Sequence, residues 1–84
     1  MYKIMAKAYV LINCDLGSED DMIRDIKKLE YVKDVTGTFG AYDIVARIEA
    51  DTQEQLREAI TWKIRKKKKI RSTLTLMEVE GQGE

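Results

Sequence analysis

The sequence predicts an α+β fold of the ferredoxin-like type, a βαββαβ chain with an antiparallel sheet in the order 4-1-3-2 and two helices on one face. Three observations predict it. Strand-like and helix-like segments follow one another as βαββαβ, a short glycine-containing link joins strands two and three, and right-handed crossovers place strands one and three side by side. The 84 residues form one domain. We assign 1–84 to it, with a core at about 5–80 and a tail at 81–84.

The first strand and first helix are predicted from two different periodicities. Every second residue of Met5–Cys14 is apolar, which indicates a strand, and a central one. Ser18 and the acids after it form an N-cap signature, so we expect a helix over about Glu19–Glu30. Apolar residues recur along it at helical spacing: Met22, Ile23, Ile26 and Leu29.

A β-hairpin is predicted next. Tyr31–Phe39 favours a strand, and Gly37 inside it suggests a bulge or a close backbone approach. Gly40 and Ala41 form the turn, and Tyr42–Ala50 is the third strand.

The second helix opens with a capping-box pattern at Thr52–Gln55. One of its faces is apolar, with Leu56, Ala59, Ile60 and Ile64, and its C-terminal end carries Lys63 and Lys66–Lys69. The last strand is predicted over Ile70–Glu80.

The composition excludes several kinds of chemistry. Without histidine the chain has no imidazole base and no histidine metal ligand, and its one cysteine forms no internal disulfide or multi-cysteine metal site. We therefore predict no enzyme, no cofactor and no metal. A lone Cys14 fits a reducing cytoplasm, and no apolar run approaches the ~20 residues of a membrane span.

The sheet face away from the helices is predicted to be too apolar to stay wet. We place Tyr9, Leu11, Val45 and Met77 on it. Because a small chain buries little surface by itself, we expect a homodimer through this face.

The hairpin is the candidate ligand site. Its two glycines and polar tip can present backbone N–H groups to a carboxylate, and Asp43 can pair with an ammonium group, so a free amino acid would satisfy both. The alternative is an ordinary turn whose Asp43 faces water. Thr73 and Thr75 are either hydroxyl donors to a pocket or residues chosen for β-propensity.

Other polar clusters have plainer interpretations. The run Lys66–Lys69, flanked by Arg65 and Arg71, suggests nucleic-acid contact. The zero net charge and the lack of interleaved aromatic residues favour instead a helix end with dipole-matching cations. We interpret Trp62 as a packing or oligomer contact. The acids at Glu19, Asp20 and Asp21 are interpreted as helix-capping charges rather than metal ligands.

Taken together, these segments resemble the effector-binding domain of the Lrp/AsnC, or feast/famine, regulators, also called the RAM domain. The resemblance runs from about Ala8 to Glu80 and rests on AYVLINC, YVKDVTGTFGAYDIVARIEA and IRSTLTLMEVE. Its most specific part is Val35–Ile44, which is similar to the family's glycine-containing hairpin ending in Tyr-Asp. Thr73 and Thr75 resemble a threonine pattern in the family's last strand.

The resemblance implies a function without catalysis. Domains of this family dimerise through their sheets, the dimers join into rings such as octamers, and small effectors such as amino acids bind between dimers. Carried over residue by residue, the effector pocket contains Gly37, Thr38, Gly40, Ala41, Tyr42 and Asp43, with Ser72, Thr73 and Thr75 as further candidates.

The chain also departs from the family pattern. Regulators of this kind usually carry an N-terminal helix-turn-helix, for which these 84 residues leave no room. We expect a stand-alone form that does not bind operator DNA directly by that module, and that acts alone or joins full-length regulators.

Three alternative functions stay open. They are an ACT-like amino-acid sensor, a small nucleic-acid-binding protein that uses Lys66–Lys69, and a ferredoxin-like monooxygenase. The absence of histidine argues against the last of these.

Overall fold

The computed structural model describes residues 6–78 and confirms the βαββαβ order. The strands are β1 (Ala6–Cys14), β2 (Val32–Gly37), β3 (Ile44–Ala50) and β4 (Ile70–Met77). The helices are α1 (Glu19–Lys27) and α2 (Gln53–Glu58), and α2 continues as a π-helical segment over Ala59–Ile64. The predicted tail at 81–84 lies outside the described residues.

The sheet has the predicted topology. Its order is β2-β3-β1-β4, which is 4-1-3-2 counted from the other edge, and all three pairings are antiparallel. β1 is a central strand, as predicted, because it pairs with both β3 and β4. Residues that are partners across a pair of strands share one face of the sheet, so the register determines which side chains meet the helices.

One face of the sheet packs against both helices and forms the core. Alternate residues of β1 and β3 point into it and are buried, while their neighbours stay partly accessible. The apolar face predicted for the second helix is buried, from Leu56 through Ile64. The fully buried large side chains are Val10, Ile12, Ile26, Ile44, Ile48, Leu56 and Ile64.

The first helix is shorter than predicted. It ends at Lys27 rather than Glu30, and tighter turns replace it, with the Leu29 N–H donating to the carbonyl oxygen of Ile26 at 3.1 Å. Tyr31 has a φ of +77° and reverses the chain into β2. Tyr31 lies three residues beyond the C-cap Lys28, in the turn before β2, where a left-handed conformation is uncommon for a residue other than glycine.

The helix starts differ in how they are capped. At α2 the predicted capping box is present, because Gln55 N–H donates to Thr52 Oγ1 at 3.1 Å and Thr52 N–H donates to Gln55 Oε1 at 3.2 Å. At α1 the predicted N-cap Ser18 is in position and buried, but its side chain makes no capping hydrogen bond. The acids in the first turn of α1 still complement the helix dipole.

The end of the second helix was not predicted to be irregular. After Glu58 the backbone hydrogen bonds span five residues instead of four, as in a π-helix. Arg65 N–H, for example, donates to the carbonyl oxygen of Ile60 at 2.9 Å. Ala59, Ile60 and Ile64 remain buried through the wider turn, whereas Trp62 is exposed.

The hairpin is longer than a two-residue turn. β2 ends at Gly37 and β3 begins at Ile44, so Tyr42 and Asp43 belong to the loop rather than to the strand. The irregularity in the β2–β3 ladder lies between Val32 and Asp34, not at Gly37. Gly37 is the close approach instead, because a Cβ atom there would lie 3.4 Å from Ile23 Cδ1.

The open face of the sheet, which lies opposite the helices, carries a different residue set from the predicted one. Tyr9, Leu11 and Val45 lie on it, as expected. Met77 does not, because it pairs with the buried Ala8 and packs against the core. Leu74 and Leu76 take its place, as partners of Leu11 and Tyr9. The prediction for Met77 is wrong because the alternation of Thr and Leu in β4 does not show which set faces the helices. The register with β1 decides it, and places Met77 on the side of the buried Ala8.

No helix among residues 6–78 has the length and apolar character needed to cross a membrane.

The core assignment predicts a large difference between two apolar truncations. Ile48 is fully buried and Leu16 is 96% exposed. Ile48→Ala should lower the free energy of unfolding by about 2–5 kcal/mol, since it leaves a cavity in the core. Leu16→Ala, the matched control, should change it by less than about 0.5 kcal/mol. Urea denaturation at one fixed protein concentration measures both. Equal losses in the two variants would contradict the assigned core.

Candidate functional site

Two hydrogen bonds donated by Thr38 close the hairpin loop 38–43. Thr38 N–H donates to the carbonyl oxygen of Asp43 at 2.8 Å, and Thr38 Oγ1 donates to the carbonyl oxygen of Tyr42 at 2.7 Å. Gly40 has a φ of +147°, a conformation that favours glycine. Within residues 6–78, the backbone N–H groups of 39–42 donate to no carbonyl group. The loop therefore presents unpaired donors around Gly40 and Ala41, as an anion site requires.

Asp43 connects the loop to the end of the sheet. Its N–H donates to the carbonyl oxygen of Ile12 at 3.0 Å, and its Oδ2 accepts a hydrogen bond from Cys14 N–H at 3.1 Å. Both bonds go to β1: the first holds the backbone of Asp43, and the second holds its carboxylate beside the end of that strand. Within residues 6–78 no cation lies within ion-pair distance of its carboxylate. Asp43 thus keeps its negative charge available for a ligand.

A shallow depression of about 470 Å³ lies beside this carboxylate. Residues of three strand ends line it: Asn13, Cys14, Asp43, Arg71 and Ser72. Asn13 and Ser72 are partners across β1 and β4, and Asn13 Nδ2 lies 3.4 Å from Ser72 Oγ. The depression therefore offers a carboxylate, a guanidinium, an amide and a hydroxyl at one end of the open face.

The structure brings together only part of the predicted pocket. Asp43 and Ser72 line the depression. Gly37, Thr38, Gly40, Ala41 and Tyr42 belong to β2 or the adjoining loop and do not line it.

Thr73 and Thr75 lie on the opposite face of the sheet from Ser72. Thr73 and Thr75 pair with the buried Ile12 and Val10, so they lie on the helix-covered face and are half-buried there. Their part in a pocket stays a prediction.

Asn13 and Arg71 are site residues that the sequence reading did not single out for the ligand. The ladder between β1 and β4 shifts register between Asn13 and Cys14, so that Ser72 pairs with Asn13 while Ile70 pairs with Cys14. Arg71 is the extra residue of this bulge, and a bulge commonly redirects a side chain. From the sequence, Arg71 is only one more cation next to Lys66–Lys69. The register of β4 with β1 is what places it at the depression.

Cys14 adjoins the site with a buried thiol. Burial raises the pKa of its thiol, and the carboxylates of Asp43, Glu19 and Asp15 raise it further. The thiol is 5% exposed and stays protonated at neutral pH. Ligand atoms of Cys14, Glu19 and Asp43 lie within 4.8 Å of one another. The two carboxylates of this cluster are among the charges that raise the pKa of the thiol.

Comparison with known proteins gives a consistent assignment. A family model described as the Lrp/AsnC ligand binding domain matches residues 7–80. No curated protein matches the chain in a sequence search.

Solved structures include relatives of similar length and of about twice the length. FFRP-DM1 is 30% identical, with a TM-score of 0.85 over 88% of this chain and 99% of its own. The hypothetical protein PHS023 from Pyrococcus horikoshii is also 30% identical, with a TM-score of 0.84 over 88% of this chain and 89% of its own.

A third neighbour shares the fold alone. It is the transcriptional regulator NMB0573 from Neisseria meningitidis, solved in complex with L-Met. It is 7% identical, with a TM-score of 0.80 over 94% of this chain and 53% of that one.

The contacts of Asp43 predict a measurable change at Cys14. Asp43→Asn removes a neighbouring negative charge but keeps an oxygen for the Cys14 N–H, so the thiol pKa should fall and alkylation should begin at lower pH. Iodoacetamide labelling across pH reports this directly, because Cys14 is the only cysteine. Asp34→Asn on β2 is the control and should leave the pH midpoint unchanged. An unchanged midpoint for Asp43→Asn would contradict the assigned contact.

Proposed function

The chain belongs to the Lrp/AsnC ligand-binding domain family, and from this premise we propose that it binds a free amino acid as an effector and assembles with copies of itself. The family's domain binds ligands for transcription regulators, which are not enzymes. The choice of an amino acid, the residues that hold it and the assembly are our proposal for this chain.

One observation carries the ligand proposal: groups of opposite charge line the same depression. Asp43 supplies a carboxylate and Arg71 a guanidinium, and neither has an ion-pair partner among residues 6–78. An α-amino acid carries an ammonium and a carboxylate on adjacent atoms. Its ammonium would pair with Asp43, and its carboxylate would take two hydrogen bonds from Arg71.

The hairpin amides adjoin this depression but do not line it. The N–H groups of 39–42 are unpaired and lie in the loop that ends at Asp43. Within the depression itself, Arg71 is the cationic partner that the ligand carboxylate would meet.

The side chain of the ligand would meet apolar surface. The next residues along the open face from Asp43, Asn13 and Ser72 are Val45, Leu11 and Leu74, which are partners across three strands. An apolar amino acid fits this neighbourhood. The L-Met complex of NMB0573 supports the same ligand class by analogy of fold.

The open face supports self-association. β4 turns Leu74 and Leu76 outward, where they are 45% and 49% exposed, and turns Thr73 and Thr75 toward the helices. In a strand with one face in solvent, the apolar residues normally face the core and the polar residues face solvent. Together with Tyr9, Leu11 and Val45, the leucines form one apolar patch across β3, β1 and β4.

We propose that a second copy covers this patch, since the face is self-complementary in a two-fold dimer. The effector depression lies at the end of the same face, so a neighbouring copy would help to enclose it. Rings of dimers such as octamers, and mixed assemblies with full-length regulators of the family, are the further expectations that follow.

The ligand proposal predicts that two opposite charges act together. We expect at least one of the twenty amino acids to raise the melting temperature of the wild type, with L-Met as the first compound tested. For each hit, Asp43→Ala and Arg71→Ala should each weaken binding by about 1.5–3 kcal/mol in calorimetry, the range of a hydrogen bond to a charged group. Asp34→Ala and Arg57→Ala are the matched controls on exposed positions and should leave affinity unchanged. Unchanged affinity in the Asp43 variant would contradict the assignment.

The assembly proposal predicts a mass. Light scattering at micromolar concentration should give at least twice the 9.7 kDa of one chain. Leu74→Glu should shift the mass toward one chain, because it places a charge in the apolar patch. Leu16→Glu, on an exposed residue outside the patch, should leave the mass unchanged. A wild type of 9.7 kDa would overturn the proposal.

A further inference from the structure

A second cavity lies on the helix side of the molecule, away from the open face. It is a groove of about 460 Å³ between the end of α1 and the second helix. Leu29, Tyr31, Ala59 and Trp62 form its apolar wall, and Gln55 and Glu58 contribute polar groups from one turn of the helix. Its volume lies within the range of small-ligand sites. Nothing in the effector proposal uses this groove.

Trp62 is the distinctive residue of the groove. It is the only tryptophan of the chain, it is 60% exposed, and Lys66 Nζ lies 4.5 Å from the centre of its ring. This cation–π contact fixes the ring while leaving much of it accessible. No aromatic residue is interleaved in the lysine run itself, but the contact with Lys66 places one beside it. Trp62 lies off the buried face of its helix and is exposed next to the run.

The cations continue from the groove without interruption. Residues 63–69 contain six of the chain's fifteen basic side chains and no acid: Lys63, Arg65 and Lys66–Lys69. Lys69 pairs with Asp21 at 3.7 Å. Among residues 6–78, the other five have no carboxylate within 4.0 Å. The neutral chain thus carries a basic segment beside an aromatic groove, although Asp21 and Asp25 of α1 line a separate cleft with Lys67–Lys69.

We propose that this surface binds single-stranded nucleic acid. One base enters the groove and stacks on Trp62, with Tyr31 on the same wall, and the sugar–phosphate backbone follows the cations of 63–69. Gln55 and Glu58 face the edge of the base, where an amide oxygen and a carboxylate accept hydrogen bonds from its ring N–H or amino groups. Binding depends little on sequence, because every base has a face that stacks and phosphates carry no sequence information.

The composition of the groove favours nucleic acid over an anionic membrane. Glu30 and Glu58 line it together with Lys28 and Lys63. Carboxylates beside the tryptophan resist burial among acyl chains, which insertion of Trp62 into a membrane would require. A base, in contrast, presents neutral donors that these carboxylates accept.

The surface is independent of the effector site. No residue lines both the groove and the effector depression, and the lysine variants of the test leave Arg71 in place. Failure of either proposal leaves the other standing.

The test uses the full chain and an unstructured oligonucleotide of twelve deoxythymidines. Trp62 fluorescence should be quenched on titration, since the chain has no other tryptophan. The logarithm of the binding constant should fall with the logarithm of salt concentration by roughly 0.7 per phosphate contacted. Anisotropy of labelled oligonucleotide then gives the affinity of each variant.

Two variants and one control decide the outcome. Trp62→Ala should weaken binding roughly 5- to 150-fold at unchanged salt slope, through lost stacking. Replacing Lys66, Lys67 and Lys68 by alanine should reduce the slope by up to about 2. Lys33→Ala, an exposed lysine on β2, should change neither.

Three outcomes would overturn the proposal. They are no binding at low salt, binding that the tryptophan and lysine variants leave intact, and binding to vesicles of neutral and anionic phospholipid without binding to the oligonucleotide. Circular dichroism of each variant verifies that it is folded.

Discussion

The pairing of β1 on both of its edges is the constraint on which the rest of the molecule depends. Its alternate residues from Ala6 to Cys14 are buried under the helices, so the residues between them must face the other way. The registers of β3 and β4 with β1 then determine which of their residues face the helices. A slip of one residue would exchange the core for the open face. The sheet therefore determines both which apolar residues are buried and which are left for a second copy.

The register of β1 also separates two sites with different chemistry. At one end of the open face, the bulge after Asn13 brings Arg71 beside Asp43, where opposite charges suit a zwitterion. On the helical side, the π-helical turn exposes Trp62 among cations that suit a polyanion. An effector that binds better to an assembled face than to an open one shifts the assembly by its differential affinity. Ligand binding and association are then two readouts of one surface.

Local patterns predicted the element order, the topology and the core of β1, β3 and α2, since alternation and helical spacing are strong in those segments. β4 was harder: Thr and Leu alternate in it, and only pairing with β1 shows that the leucines face outward and Met77 inward. The hairpin pointed to Asp43, because glycines and an acid are visible locally. Arg71 could not be found that way, because a bulge sets its direction and a bulge does not follow from residue type alone. Trp62 lies outside the predicted apolar face of its helix, but only the structure shows its contact with Lys66 and its place in the groove.

Amide chemical shifts of ¹⁵N-labelled protein, titrated with an amino acid that raises its melting temperature, test the central claim most directly. The account predicts that the largest changes occur at Asn13, Asp43 and Ser72, with smaller ones along the loop at Gly40 and Ala41. Residues around Trp62 should stay unchanged in the same titration. Changes confined to the helical groove, with Asp43 and Ser72 unaffected, would contradict the claim that opposite charges at the end of the open face bind the effector.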